Sequence, residues 1–182
     1  MTVMVALLRG VNVGGTGKVP MADLRRVVAD AGYDDVRTYL NSGNVVLRAP
    51  GDDGEQVAQT LQAACAQAFP SRPDVVVRTR EELHAVVAAN PFLDRDDDPT
   101  HHHVLFLAGT AAARVPDVAV VAPEDLAASG RELYLHLPHG LGRSRLAARL
   151  SGAKDPRGTA RNWRTVTALA ALADDVDARS RD

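Results

Sequence analysis

The sequence predicts an α+β protein built of two halves packed together, a ferredoxin-like βαββαβ half followed by a related α/β half. Three observations carry that prediction. Short apolar runs of strand length alternate with stretches of helical periodicity, the signature of strands and helices sharing one core. The alternation runs twice through a similar order of elements, visible in the order and not in the residues. The 182 residues are 46% hydrophobic and 24% charged, a globular composition with length for one large domain or two small ones.

In the first half, Val3 to Leu8 is a continuous apolar run that enters Gly10-Val-Asn-Val-Gly-Gly-Thr-Gly-Lys-Val-Pro20, a loop too rich in glycine to be helical. Pro20 then precedes Met21, Leu24, Val27, Val28 and Ala31 on one helical face, and Gly32 closes that helix. Val36 to Leu40 and Val45 to Arg48 flank Asn41-Ser-Gly-Asn44, a hairpin signal because Gly and Asn tolerate the positive φ of tight turns. A helix from Glu55 to Phe69, a strand from Val75 to Thr79 and a helix from Arg80 to Ala89 follow.

The acidic, aperiodic stretch Leu93-Asp-Arg-Asp-Asp-Asp-Pro-Thr100 places a linker at residues 94–100, between halves spanning 1–93 and 101–182. The second half reads as a strand from His103 to Ala108, a short helix near Thr110 to Arg114, and strands around Leu126 and from Glu132 to Leu137. Helices Arg143 to Leu150 and Ala160 to Ala173 end the chain. Val3 to Leu8, Val45 to Leu47 and Val104 to Ala108 are apolar at successive positions, whereas a strand with one wet face alternates, so both faces of the first-half sheet are expected to be covered. The first strand also lacks the stacking aromatics with which sheets of this topology bind RNA.

The beginning of the chain has no basic leader, and no run approaches the ~18 apolar residues of a membrane span, so a soluble cytoplasmic protein without membrane contact is expected. Cys65, the single cysteine, falls with Val57, Leu61 and Phe69 at helical spacing and is expected to be a small buried hydrophobe. The net charge of −2 argues against a polyanion binder acting through its whole surface, while leaving room for a local patch.

Leu8-Arg-Gly-Val-Asn-Val-Gly-Gly15, Lys18-Val-Pro-Met21, Arg37-Thr-Tyr-Leu40 and Ser42-Gly-Asn44 resemble the opening of the bacterial family of unknown function numbered 1697. Thr159-Ala-Arg-Asn-Trp-Arg-Thr-Val166 resembles its closing motif, and Asn41 stands where the family pattern has glutamine. The resemblance implies a compact bacterial α/β protein with a ferredoxin-like half, and it implies no activity.

The glycine loop follows a strand and precedes a helix, yet it is not a P-loop, because Asn12 stands where that motif needs glycine and Val19 where it needs a hydroxyl. Pro20 likewise spoils a dinucleotide-binding turn. The N–H groups of Gly14, Gly15 and Gly17 can form an anion nest, with Arg9 and Lys18 as charges and Asn12, Ser42 and Asn44 as neighbouring polar candidates. His101 and His103 would share a strand face, with His136 and His139 elsewhere, but no spacing matches a metal site, and no metal or cofactor is expected. No serine has a nucleophile-elbow context and no carboxylates pair, so no catalytic residue is assigned.

Between Arg143 and Arg164 stand seven basic residues and one acid, Asp155, in a chain of net negative charge. With Thr159 as the N-cap of the last helix, Arg161, Asn162 and Arg164 would lie at its positive end, where arginine is unfavourable unless an anion is near. Trp163 shares a face with Val166 and Ala170 and is expected in the core. Three readings stay open: a phosphorylated or nucleotide-like small anion held between the halves, nucleic acid bound along Arg143 to Arg164, and a partner-binding module without ligand. The chain is expected to be a monomer or weak homodimer.

Overall fold

The computed structural model describes residues 1–12, 18–51, 53–95, 98–152 and 157–179. Its first sheet forms from β1 (Thr2–Leu8), β2 (Asp34–Tyr39), β3 (Asn44–Ala49) and β4 (Val75–Thr79), with α1 (Met21–Asp30) and α2 (Gly54–Ala68) in the two crossovers. All pairings are antiparallel and the order is β2-β3-β1-β4, the ferredoxin-like arrangement that the sequence predicts. Local chemistry sets the helix starts. Pro20 precedes α1 in an extended conformation, and the Asp53 carboxylate accepts from the N–H groups of Glu55 and Gln56 to cap α2.

Met4, Ala6 and Leu8 join Leu24 and Val28 of α1 and Val57, Leu61 and Cys65 of α2 in one core. Val3, Val5 and Leu7 point the other way and are also buried. On their side Arg48, cross-strand from Val3, donates its Nη2 to the Val176 carbonyl at 2.6 Å. Both faces are therefore covered, and the run of consecutive apolar positions in β1 has that cause. Burial pushes the Cys65 thiol up to a pKa of about 11, so almost no thiolate exists near neutrality. Native protein is expected to resist iodoacetamide at pH 7.5 and to label fully in denaturant; fast stoichiometric labelling without denaturant would refute that packing.

The second sheet contains β5 (His102–Leu107), β6 (Asp125–Ser129), β7 (Glu132–His136) and β8 (Gly158–Asn162), in the order β6-β7-β5-β8. A 3-10 turn (Leu141–Arg143) and α4 (Arg145–Gly152) link β7 to β8, and α4 sets Leu146, Ala147 and Leu150 against Leu107, Leu133 and Leu135. The topology repeats that of the first sheet, and so do individual backbone bonds. Leu8 N–H donates to Gly43 O at 2.8 Å as Leu107 N–H does to Arg131 O at 3.2 Å. Arg9 N–H donates to Asp74 O as Ala108 N–H does to Arg157 O, both at 2.9 Å. Gly10 and Gly109 follow the equivalent strands, with φ of 70° and 81°.

Two sequence expectations fail in this half. The segment from Thr110 to Arg114 is not helical. Five residues before Val115-Pro116 are too few to repay helix nucleation, and Ala113 N–H bonds instead to Gly130 O at 2.8 Å. Residues 160–162, expected to begin the last helix behind Thr159 as its cap, lie instead in β8 (Gly158–Asn162) along β5, and α5 begins only at Trp163 and runs to Ala178. Gly158 permits this pairing, since a Cβ there would stand 2.5 Å from the Phe106 carbonyl oxygen. The expected burial of Trp163, Val166 and Ala170 does hold.

The chain divides into two compact units, one of residues 1–84 and 168–182 and the other of residues 85–167. The division falls inside α3 (Arg80–Ala88) and α5, and not at the acidic stretch 94–100. Specific bonds account for this. In the first unit Asp174 accepts from Arg80 at 2.9 Å and bonds His84 at 2.8 Å, and Val176 O holds Arg48. In the second, Tyr134 Oη donates to Val86 O at 3.0 Å, Phe92 lies against the His136 ring, and Arg95 pairs with Asp125 at 2.9 Å. Tyr134→Phe removes the first of these bonds and should lower stability by about 1 kcal/mol, read from urea midpoints at unchanged slope. An unchanged midpoint would show that the hydroxyl contributes nothing.

Candidate functional site

The residues singled out from sequence fall into two groups, one in each unit. In the first unit the glycine loop and the β2–β3 hairpin are joined by Asn12. Its amide nitrogen donates to Asn41 O at 2.7 Å and Val19 O at 2.9 Å, and its oxygen accepts from Val19 N–H at 2.8 Å. Asn12 sits at φ 58°, a region asparagine tolerates better than most residues. Asn44, fully buried, donates to Tyr39 O and to Ser42 Oγ, both at 3.0 Å. These side chains brace the loop and hairpin. Both donor hydrogens of the Asn12 amide are committed to carbonyls. Arg9 lies 3.9 Å from Asp74, and Lys18 is exposed. Gly14, Gly15 and Gly17, the expected nest, lie outside the described residues.

The second group is arranged differently from the sequence expectation. Thr159 is not a helix cap but a buried strand residue, and Arg161, two positions on, shares its face of β8. Arg161 Nη1 donates to Thr159 Oγ1 at 2.7 Å and to Ala160 O at 2.8 Å. The cap of α5 is Asn162, whose Oδ1 accepts from Thr165 N–H at 2.9 Å. Arg164 is exposed on the first turn of α5. Arg161 as a residue is partly exposed, but desolvation by burial lowers the pKa of its guanidinium to about 10. Arg80 moves the opposite way, raised chiefly by its hydrogen bond to Asp174.

The basic residues of the segment are carried by several elements. Arg143 lies in the 3-10 turn, Arg145 and Arg149 in α4, Arg161 in β8 and Arg164 in α5, while Lys154 lies outside the described residues. Arg149 is bonded to Ala119 O at 2.7 Å. Of the histidines, His102 and His136 are cross-strand partners with ring centroids 5.3 Å apart, and burial lowers the pKa of His103. Among the described residues no group of three His, Cys, Asp or Glu side chains could hold a metal.

One residue escaped the sequence reading. Arg114, with Arg157, lines a cavity of about 740 Å³ walled by Leu107, Ala108, Gly109 and Ala111 to Ala113. Nothing periodic marks it, because it follows from a helix that the repeated topology lacks.

These features define a class, an α+β protein in which one four-stranded antiparallel topology occurs twice. The chain belongs to the family described as "Protein of unknown function (DUF1697)", whose model matches residues 1–134. Among solved structures it is similar to the conserved bacterial protein SP0830 from Streptococcus pneumoniae, at 22% identity and a TM-score of 0.75, over 94% of this chain and 98% of that one. At that identity the likeness establishes the fold. No curated protein matches the chain. No helix among the described residues is long and apolar enough to cross a membrane.

Proposed function

We propose that the protein binds a small anionic ligand, phosphorylated or nucleotide-like, with Arg161 as its principal contact and Thr159, Asn162 and Arg164 around it. The observation that carries this reading is the setting of Arg161. A guanidinium already stripped of part of its water and anchored on a strand by Thr159 and Ala160 attracts an oxyanion more strongly than one in bulk solvent. Its orientation costs little on binding, since one of its terminal nitrogens is already fixed. This replaces the helix-end site expected from sequence with a strand-borne arginine, while the ligand class stays the same. Asn12, Ser42 and Asn44 brace the loop and hairpin of the first unit, and Arg9 and Lys18 are the charges beside that loop.

Thermal denaturation against a panel of inorganic phosphate, pyrophosphate, nucleotides and sugar phosphates tests the proposal. At least one phosphorylated compound should raise the melting temperature saturably while its uncharged counterpart does not. A panel without any such shift would count against it.

A further inference from the structure

We infer that the second unit carries a separate phosphate-binding groove, formed by Arg114 and Arg157 around the loop from Ala108 to Ala113, suited to the phosphate end of a small metabolite. The site is distinct from Arg161 and stands or falls independently of it.

The two units make the comparison within one chain. In the first, the backbone bond between Arg9 and Asp74 brings together two opposite charges, 3.9 Å apart. At the equivalent bond in the second unit the residues are Ala108 and Arg157. The acid is replaced by a base and its basic partner by a methyl group, so a near-neutral position becomes a positive one. The connection that carries α1 in the first unit has no helix in the second, where residues 108–124 run without regular structure from β5 to β6. That difference opens the cavity of about 740 Å³, within the ~300–1,000 Å³ range of small-molecule sites.

Its walls suit an oxyanion. Ala108, Gly109, Ala111, Ala112 and Ala113 bring the backbone within reach of a ligand. Among the described residues, the N–H groups of Gly109, Thr110, Ala111 and Ala112 take no part in backbone hydrogen bonding, whereas Ala113 N–H is held by Gly130 O. Arg131 Nη1 donates to Gly109 O at 3.2 Å and so fixes the carbonyl side of the loop. Two guanidiniums and a run of backbone donors match a phosphate, which offers three acceptor oxygens and close to two negative charges at neutral pH. A cationic ligand would meet two like charges in the same groove.

Titrating ¹⁵N-labelled protein with sodium pyrophosphate at constant ionic strength tests the groove. The amides of Gly109 to Ala113 should shift saturably. Binding read at those amides should weaken by about tenfold or more in the Arg114→Ala/Arg157→Ala double variant. Ala111→Phe, which fills the groove and keeps both charges, should weaken it comparably, and Arg161→Ala should leave these amides responding as in the wild type. Shifts reproduced by sodium chloride at equal ionic strength, or wild-type affinity in either the double variant or Ala111→Phe, would overturn the assignment.

Discussion

Gly43→Ala is expected to lower the stability of the folded protein by about 2–5 kcal/mol, a large effect for the addition of one methyl group. Two costs combine. Gly43 has φ 71°, a conformation that costs an L side chain about 1–2 kcal/mol. A Cβ there would also stand 2.8 Å from the Leu8 Cβ and 3.1 Å from the Val11 Cβ. Both neighbouring atoms are attached directly to the backbone of buried residues in the first-unit core and cannot swing away as a flexible chain end would. The strain must be relieved by moving the hairpin, which strains the Leu8 N–H to Gly43 O bond and the Asn12 brace to Asn41 O. Urea denaturation of the variant reads the loss directly. A change below about 0.5 kcal/mol, the scale of neutral surface substitutions, would show that the hairpin does not lie against β1 in this way.

The second large effect concerns binding. Arg161→Ala should weaken the stabilising phosphorylated ligand by about 1.5–3 kcal/mol, the usual scale for a hydrogen bond to a charged group. The stability of the unliganded variant should fall less than its ligand-dependent stabilisation does, because removing Arg161 also removes a desolvated charge, and its neighbour Thr159 keeps its place in β8 without it. If Arg161 instead served only the fold, the variant would lose stability without ligand and keep the whole ligand-induced shift. Melting the two proteins with and without the ligand separates these outcomes.

Much of the first unit was legible because its signals are local and agree. The apolar run in β1, Pro20 before α1, the Val57-Leu61-Cys65 face of α2 and the Ser42-Gly43 turn each point to one structure, and each element forms as predicted. The second unit defeated the same reading in two places. Gly-Thr-Ala-Arg-Asn carries neither an apolar run nor clear alternation, and β8 forms because a long-range partner, β5, is available to it. Thr110 to Arg114 carries helix-forming alanines, but their number and the proline that follows decide the outcome.

The same two errors governed what could be seen of the site. Reading β8 as helix put Arg161 and Asn162 together at a helix end, whereas the strand separates their roles. Asn162 caps α5 and Arg161 faces the sheet with Thr159. The polarity of Asn12, Ser42 and Asn44 is visible in the sequence, whereas their bonds to Asn41 O, Val19 O and Tyr39 O and from Asn44 to Ser42 are not. The bonds that tie α5 into the first unit are not local either. Arg48, Arg80 and His84 reach their partners in α5 across long stretches of the chain, and no local pattern announces such bonds.

The most direct measurement is the Nε–H resonance of Arg161 in ¹⁵N-arginine-labelled protein, followed during titration with the phosphorylated compound that raises the melting temperature most. Binding at Arg161 predicts a saturable shift of that resonance, with a midpoint equal to the dissociation constant from calorimetry. A resonance that stays fixed while the protein is stabilised would place the ligand elsewhere and contradict the proposed function.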